Sequence, residues 1–111
     1  MLDTTKLVGK ADDASTLLSA MSNSKRLLIL CNLVPGEMAV GALAEEVGLS
    51  QSALSQHLAK LRARGLVKTR RDAQTIYYSI ASEDVLEMLK TLNGIFCEPN
   101  QAGKIPTRTA A

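Results

Sequence analysis

The sequence predicts a mainly helical domain with a small β-hairpin, and three features indicate this fold class. Residues 40–71 contain two short amphipathic segments separated by Gly-Leu, the pattern of a helix-turn-helix. Two strand-like segments joined by a polar turn follow directly, and a further amphipathic helical segment comes after them. Together these features predict a dimeric winged helix-turn-helix, mainly α with a β-hairpin wing.

Length and composition limit the chain to one small domain. It has 111 residues, of which 3% are aromatic, so its core must be built from Leu, Val, Ile, Met and Ala. Residues 11–98 are predicted to form the domain, between a flexible segment 1–10 and a disordered tail 99–111. No apolar run approaches the roughly 20 residues that span a bilayer, and no signal-peptide segment is present. The chain is therefore expected in the cytoplasm, where thiols are usually reduced.

Two helices are predicted before the helix-turn-helix. The first runs from residue 11 to about residue 22, with apolar positions at helical spacing, Ala14, Leu17, Leu18 and Met21. Ser24 is the predicted N-cap of the second. The body of that helix, residues 25–34, is apolar on most sides and is therefore expected to be buried. It ends before Pro35.

The helix-turn-helix has a clear apolar pattern. One face of its first helix is apolar at i, i+3, i+4 and i+7, at Val40, Leu43, Ala44 and Val47. Gly48 breaks the period, Ser50 is the predicted N-cap of the second helix, and Gly65 is the predicted stop after it. The apolar positions of the second helix form a set that we name the leucine stripe, Leu54, Leu58 and Leu61. In a helix-turn-helix this second helix enters the major groove of DNA.

The face opposite the leucine stripe carries short hydroxyls, an amide and a small side chain. We name it the reading face, and it consists of Ser52, Ser55, Gln56 and Ala59, flanked by Gln51, Lys60 and Arg62. Glutamine can form two hydrogen bonds with adenine, and serine can bond base edges or phosphates. The alternative is an ordinary solvated helix rich in Ser and Gln. Glu and Lys are more usual on such a surface, so the pattern favours DNA contact.

The hairpin, which we name the wing, is basic. Its predicted strands are residues 66–70 and 75–80, and its predicted polar tip is residues 71–74. Residues 47–82 contain six basic residues and one acid, a net charge of +5, so the rest of the chain carries −3 and the total is +2. This asymmetry gives the helix-turn-helix and the wing the electrostatic character of a nucleic-acid-binding surface.

The last helix is predicted to mediate dimerisation. Ser82 is its expected N-cap, with Glu83 and Asp84 at the positive end of the helix dipole. Its apolar residues recur at spacings of three and four, as in a packing seam, at Val85, Met88, Leu89, Leu92, Ile95 and Phe96. A chain this small offers few internal partners for such a seam. We therefore expect a homodimer interface that also involves the first helix.

A resemblance to the ArsR family of bacterial repressors rests on two segments, LSQSALSQHLAKLRARGLVKTRR and AQTIYYSI, and extends over about residues 17–97. Within the family the first segment is most similar to NolR-type nodulation regulators. The resemblance implies a dimeric repressor whose affinity for double-stranded operator DNA is set by an effector. It implies DNA contacts at Gln51, Ser52, Ser55, Gln56, His57, Arg70, Arg71 and Gln74, and Lys60 is a further predicted contact. His57 has an alternative role as a hydrogen-bonded residue flanking the leucine stripe.

The two cysteines of the chain indicate what kind of effector could control DNA binding. Cys31, in LILCNLVPGEMAVGAL, and Cys97, in LNGIFC, resemble the persulfide-sensing BigR-type members of the family. In that branch reactive sulfur or oxidants link the two thiols, as a disulfide or through extra sulfur atoms, and the linkage releases DNA. From the residues alone, cysteines in apolar helices favour inert, buried thiols in a constitutive NolR-like regulator. The resemblance at both positions favours sensing.

Metal sensing and catalysis are not predicted. Metal-sensing members of the family carry ligands on the first helix of the helix-turn-helix or on the last helix. Here those segments are AVGALAEEVG, without Cys or His, and SEDVLEMLKTLNGIFC, without His. No Ser-His-Asp set, CxxC pair or Gly-rich phosphate loop is present, so neither a cofactor nor an enzyme activity is expected. The alternative outside DNA binding is a winged helix that serves only protein contacts, or a thiol-based enzyme.

Overall fold

The structure is a computed structural model that describes residues 2–97, which fall into two compact units divided between Ala81 and Ser82. The first unit contains, in chain order, α1 (Thr5–Val8), α2 (Ala11–Met21), α3 (Ser24–Leu33), β1 (Met38–Ala39), α4 (Val40–Val47), α5 (Gln51–Ala63), β2 (Val67–Asp72) and β3 (Thr75–Ile80). The second unit contains α6 (Glu83–Phe96). This element order is the predicted one, with α1 and β1 in addition.

The core of the first unit is aliphatic. Its largest fully buried side chains come from α3, α4 and α5, and they are Ile29, Leu30, Leu33, Leu43, Leu54, Leu58 and Leu61. Each contributes roughly 1.5–3 kcal/mol of hydrophobic stabilisation. The expectation that residues 25–34 are buried on most sides is wrong, because Leu28 in α3 is 44% exposed and Val34, which directly follows α3, is 50% exposed. The apolar residues of α3 divide between a core face and an exposed face.

The turns and caps of the helix-turn-helix follow the sequence closely. Gly48 ends α4 in the left-handed conformation with φ of 72°, which a residue with a side chain rarely adopts. The Ser50 hydroxyl accepts a hydrogen bond from the Ala53 N–H at 3.1 Å, as predicted for the N-cap of α5.

The predicted N-cap of α3, Ser24, is wrong. Asn23, not Ser24, accepts hydrogen bonds there, from the N–H groups of the second and third helical residues at 2.9 and 3.1 Å.

The sheet is antiparallel with three strands in the order β1-β3-β2. β1, which the sequence did not predict, pairs with β3 through Met38 opposite Tyr78. The wing has a shorter tip than predicted, because Arg71 and Asp72 belong to β2 and pair with the start of β3. The remaining two-residue loop contains Ala73 at φ of 57°, the one non-glycine residue with positive φ among those described.

α6 begins as expected, with the Ser82 hydroxyl accepting a hydrogen bond from the Val85 N–H at 3.3 Å. At its other end Ile95 is 36% and Phe96 is 63% exposed. The use of this apolar seam for dimerisation stays a prediction.

The ends of the chain were predicted to be flexible. Within segment 1–10, α1 forms one helical turn without a buried residue, and the flexibility of this segment stays a prediction. The predicted tail, residues 99–111, lies outside the described residues. Within residues 2–97, no helix has both the length and the apolar character needed to cross a membrane.

Candidate nucleic-acid interface

α5 is anchored by its leucine stripe, which is buried where the helix contacts α3 and α4. Ser50 follows the left-handed Gly48 after one intervening residue, so a short turn fixes the direction in which α5 leaves α4. The opposite side of α5 faces solvent. The whole reading face is exposed, Ser52, Ser55, Gln56 and Ala59, as are the flanking residues Gln51 and Lys60. The structure thus brings the predicted base-reading residues together on one exposed helix surface.

Two cations on the first turn of α3 join the ends of neighbouring helices. Lys25 Nζ donates to the carbonyl oxygen of Val47, the last residue of α4, at 3.0 Å. Arg26 Nε donates to the carbonyl oxygen of Ala20, in the last turn of α2, at 2.7 Å. Carbonyls in the last turn of a helix lack intrahelical partners and form the negative end of its dipole. These two contacts therefore fix α2 and α4 relative to α3.

His57 lies at the edge of the leucine stripe and is half-buried. Its Nδ1 is 3.4 Å from Nη1 of Arg26. A guanidinium only donates hydrogen bonds, so this contact requires an unprotonated Nδ1 and leaves the ring proton on Nε2. Burial lowers the pKa of His57, and the charges of Arg26 and then Lys60 lower it further. His57 therefore has the geometry of a neutral, hydrogen-bonded flanking residue, and its contact with DNA stays a prediction.

Arg70 of the wing is engaged within the protein. Its guanidinium donates two hydrogen bonds to the Glu37 carboxylate, Nε to Oε1 at 3.0 Å and Nη2 to Oε2 at 2.6 Å. It also lies 4.6 Å from the centre of the Tyr77 ring. The hydrogen bond from Arg70 lowers the pKa of Glu37, so the carboxylate is ionised and neutralises the guanidinium. Sequence reasoning missed Glu37, because no sequence pattern joined the segment before α4 to the wing.

Arg71 and Gln74 are the other predicted contacts of the wing, and both are exposed. Arg71 follows Arg70 in β2, so strand alternation directs its side chain to the other side of the sheet. Within residues 2–97 no carboxylate forms an ion pair with Arg71. The charge of Arg71 is therefore available to an external phosphate, whereas that of Arg70 is already compensated.

Cys31 and Cys97 are both free and exposed. The alternative expectation of buried thiols is therefore wrong. In α3 the core face is formed by Ile29, Leu30 and Leu33, and Cys31 lies outside it. Cys97 follows the last residue of α6 in the second unit. Both thiols are accessible to small reagents, as a sensing thiol must be. Residues 2–97 contain no group of three or more His, Cys, Asp or Glu side chains placed to hold a metal ion.

The sequence of this chain is similar to a family of bacterial regulatory proteins and to individual members of it. Residues 23–69, which include α3, the helix-turn-helix and the start of the wing, match the bacterial regulatory protein, arsR family. The chain is 64% identical over 92 residues to the nodulation protein NolR of Rhizobium meliloti, an alignment that covers 83% of this chain and 75% of that protein.

Solved structures share the fold. Reduced HlyU from Vibrio cholerae is 46% identical, with a TM-score of 0.78 over 84% of this chain and 98% of that chain. The transcriptional repressor BigR from Xylella fastidiosa is 34% identical, with a TM-score of 0.82 over 87% and 99%. A homodimeric winged helix-turn-helix DNA-binding domain from Mycobacterium bovis is 29% identical, with a TM-score of 0.74 over 96% and 97%. These similarities confirm the predicted fold class, and the chain belongs to the ArsR family of bacterial regulatory proteins as a DNA-binding transcriptional regulator rather than an enzyme.

Proposed function

We propose that this regulator is a homodimeric repressor that recognises a specific operator in double-stranded DNA through α5 and the wing. The observation that carries the proposal is the exposed reading face, where Ser52, Ser55 and Gln56 present uncharged hydrogen-bonding groups on a helix anchored from behind. Gln51 and Lys60 extend this surface along α5. The wing supplies the positive charge of Arg71 for the backbone, with Gln74 beside it at the tip.

The two parts of this surface have different tasks. Contacts to phosphates supply affinity for any sequence and make binding depend on salt, whereas contacts to base edges supply specificity. Gln56 has the side chain that pairs with adenine through two hydrogen bonds, and one such pair discriminates by about 1–3 kcal/mol. A homodimer presents two copies of α5 to two half-sites one helical turn apart. The homodimeric relative from Mycobacterium bovis supports this assembly.

The test compares specific with non-specific binding. Duplexes selected from a randomised pool by the wild-type protein define the operator, and Gln56→Ala is then measured on that operator and on an unrelated duplex. We expect Gln56→Ala to lose about 1–3 kcal/mol on the operator, concentrated at one or two base pairs of each half-site, and almost nothing on the unrelated duplex. Ser15→Ala is the matched control, since it changes an exposed, uncharged side chain of α2 that belongs neither to the reading face nor to its flanking residues. An equal loss on all duplexes would assign Gln56 to the backbone and refute the proposed reading face.

We further propose that linkage of Cys31 and Cys97 releases the operator when reactive sulfur or oxidants are present. Support comes from the exposure of both thiols and from the similarity to BigR and to HlyU, whose structure was determined in a reduced form. Joining two thiols as a disulfide removes two electrons and two protons, which the oxidant accepts. A persulfide donor can instead transfer one sulfur atom to a cysteine thiol and leave as a thiol. Joining the resulting persulfide to the second cysteine then removes two electrons and two protons, which a second donor molecule accepts as it is reduced to a thiol and hydrogen sulfide. The attacking thiol reacts as its thiolate.

Mass spectrometry read alongside operator affinity tests this switch. After exposure to a persulfide donor, the wild-type protein is expected to lose two hydrogen masses, with or without added sulfur atoms, and to release the operator. Cys31→Ser and Cys97→Ser are each expected to keep operator binding and to lose its release. Release that persists in either single variant would refute a linkage between these two thiols.

A second candidate is a constitutive regulator of the NolR kind, whose exposed thiols are not linked. The higher identity with NolR than with BigR favours it. The same experiment separates the two, because the constitutive regulator keeps its operator affinity and shows no bridge between Cys31 and Cys97 after treatment.

A further inference from the structure

A cleft of about 420 Å³ lies within the first unit, between the last turn of α2, the first turn of α3 and the end of α5. Its lining residues are Ser19, Ala20, Arg26, Lys60, Ala63 and Arg64. We propose that this cleft binds a phosphate group of the DNA backbone beside the groove that α5 enters. The inference rests on the proposed function and adds Arg26 and Arg64 to the surface that contacts DNA.

The cleft is positively charged. Three of its lining residues are cations, Arg26, Lys60 and Arg64, and none is an acid. Within residues 2–97 the ion pairs are Arg70 with Glu37 and Lys90 with Glu87, so no carboxylate neutralises the cations of the cleft. Like charges in one cleft repel each other, and an anion between them removes that cost. A phosphodiester is the anion that a DNA-binding protein meets at this surface.

One cation of the cleft, Arg26, is held by hydrogen bonds, and the side chains of the other two have no hydrogen-bond partner among residues 2–97. Arg26 donates from Nε to the Ala20 carbonyl at 2.7 Å and from Nη2 to the Ser19 carbonyl at 3.4 Å, so its guanidinium is held in the wall. Lys60 and Arg64 are exposed, and their long side chains can close over a bound group. A fixed guanidinium with two exposed donors beside it fits the tetrahedral oxygens of a phosphate.

Two of the cations in the cleft lie in line with the reading face along α5. Lys60 follows Gln56 by four residues and Arg64 follows Lys60 by four, so these side chains continue the surface of the reading face towards the end of the helix. Base edges lie in the floor of the groove and phosphates form its rims. A helix whose first turns contact bases therefore meets a rim with its later turns, which is where the cleft lies.

His57 offers a spectroscopic report from inside this cluster. It is the single histidine of the chain, and its Nδ1 is 3.4 Å from Nη1 of Arg26. Burial lowers the pKa of His57 most, and the positive charges of Arg26 and Lys60 lower it further. An anion bound in the cleft offsets those charges and is expected to raise the pKa of His57.

The deciding experiment measures duplex affinity against salt for three variants of the full chain. Lys60→Gln and Arg64→Gln are each expected to reduce the slope of log affinity against log salt by about 0.9, on the operator and on an unrelated duplex alike. Lys6→Gln is the matched control, because Lys6 is an exposed cation of α1 that lies outside both the cleft and the basic segment 47–82, and its slope is expected to equal that of the wild type. Arg26 is left unchanged because it holds the end of α2.

The proposal would be overturned if the wild type and the three variants had equal slopes of log affinity against log salt. It would also be overturned if all three variants, the control included, showed the same reduction. A second experiment distinguishes a phosphate group of the DNA backbone from free phosphate as the bound anion. Inorganic phosphate is titrated at constant ionic strength while the pKa of His57 is followed by NMR. If phosphate raised that pKa in the wild type and not in the Lys60→Gln/Arg64→Gln double variant, while all duplex slopes stayed equal, the cleft would be a site for a free oxyanion. Failure of the proposed function is recognised separately, because the wild-type protein would then show no preference for any selected duplex.

Discussion

Because Arg70 is paired with Glu37, we predict that Arg71 contributes more to DNA affinity than Arg70 does. The two charges are 2.6 Å apart at their closest atoms and compensate each other, whereas Arg71 is exposed and unpaired among the described residues. A lost phosphate contact reduces the salt slope by about 0.9, which amounts to about 3.5-fold less loss of affinity between roughly 50 and 200 mM salt. We expect Arg71→Gln to show this reduction in full.

The matched variant removes the pair as a unit. Glu37→Gln combined with Arg70→Gln removes one charge of each sign from the same place and leaves the net charge of the protein unchanged, so its salt slope is expected to stay at the wild-type value. Glu37→Gln alone frees the guanidinium of Arg70 and is expected to steepen the slope by up to about 0.9. Fluorescence anisotropy with a labelled duplex at a series of salt concentrations measures all three variants. If the double variant lost as much slope as Arg71→Gln, Arg70 would have to leave Glu37 in the DNA complex, and the reasoning would be refuted.

Four further predictions concern stability and assembly. Leu58→Ala removes a side chain that is 1% exposed and is expected to lower the free energy of unfolding by about 2–5 kcal/mol in urea titration, unless the core closes around the space. Asn23→Ala is expected to cost about 1 kcal/mol in the same assay and Ser24→Ala much less, because Asn23 accepts the capping hydrogen bonds; the reverse order would contradict the assigned cap. The pKa of His57 in the folded protein lies below its ordinary value of 6.5, so the unfolded chain binds a proton more readily than the folded one. The free energy of unfolding is therefore expected to fall as the pH drops through about 6.5. In urea titrations at several pH values, His57→Gln is expected to flatten that fall. Leu92→Glu puts a charge into the predicted seam of α6 and is expected to yield monomers or unfolded chains by analytical ultracentrifugation, whereas a folded dimer would exclude Leu92 from the interface.

Sequence patterns predicted the helix-turn-helix well because each of its parts is local. The leucine stripe, Gly48 and Ser50 act within a few residues of one another, so period and capping chemistry define α5 almost to its ends. The choice between Asn23 and Ser24 as a cap depends on backbone angles that two adjacent cap-forming residues do not reveal. β1 has two residues, too few to show a period of two.

The features that the sequence did not reveal depend on contacts between distant parts of the chain. Glu37 and Arg70 are 33 positions apart and meet because β1 and β2 both pair with β3. The cleft likewise combines residues from α2, α3 and α5. The exposure of Cys31 depended on which side of an apolar helix meets the core, and α3 has apolar residues on both sides.

The adjacent residues Lys25 and Arg26 have a consequence for local opening of the protein. One side chain holds the end of α4 and the other the end of α2, so neither helix end can unravel without breaking a contact to the first turn of α3. Segments linked in this way open as one cooperative unit. The amide protons of the last turns of α2 and α4 are therefore expected to exchange with solvent deuterium at similar rates, and more slowly than those of α1, which has no buried residue.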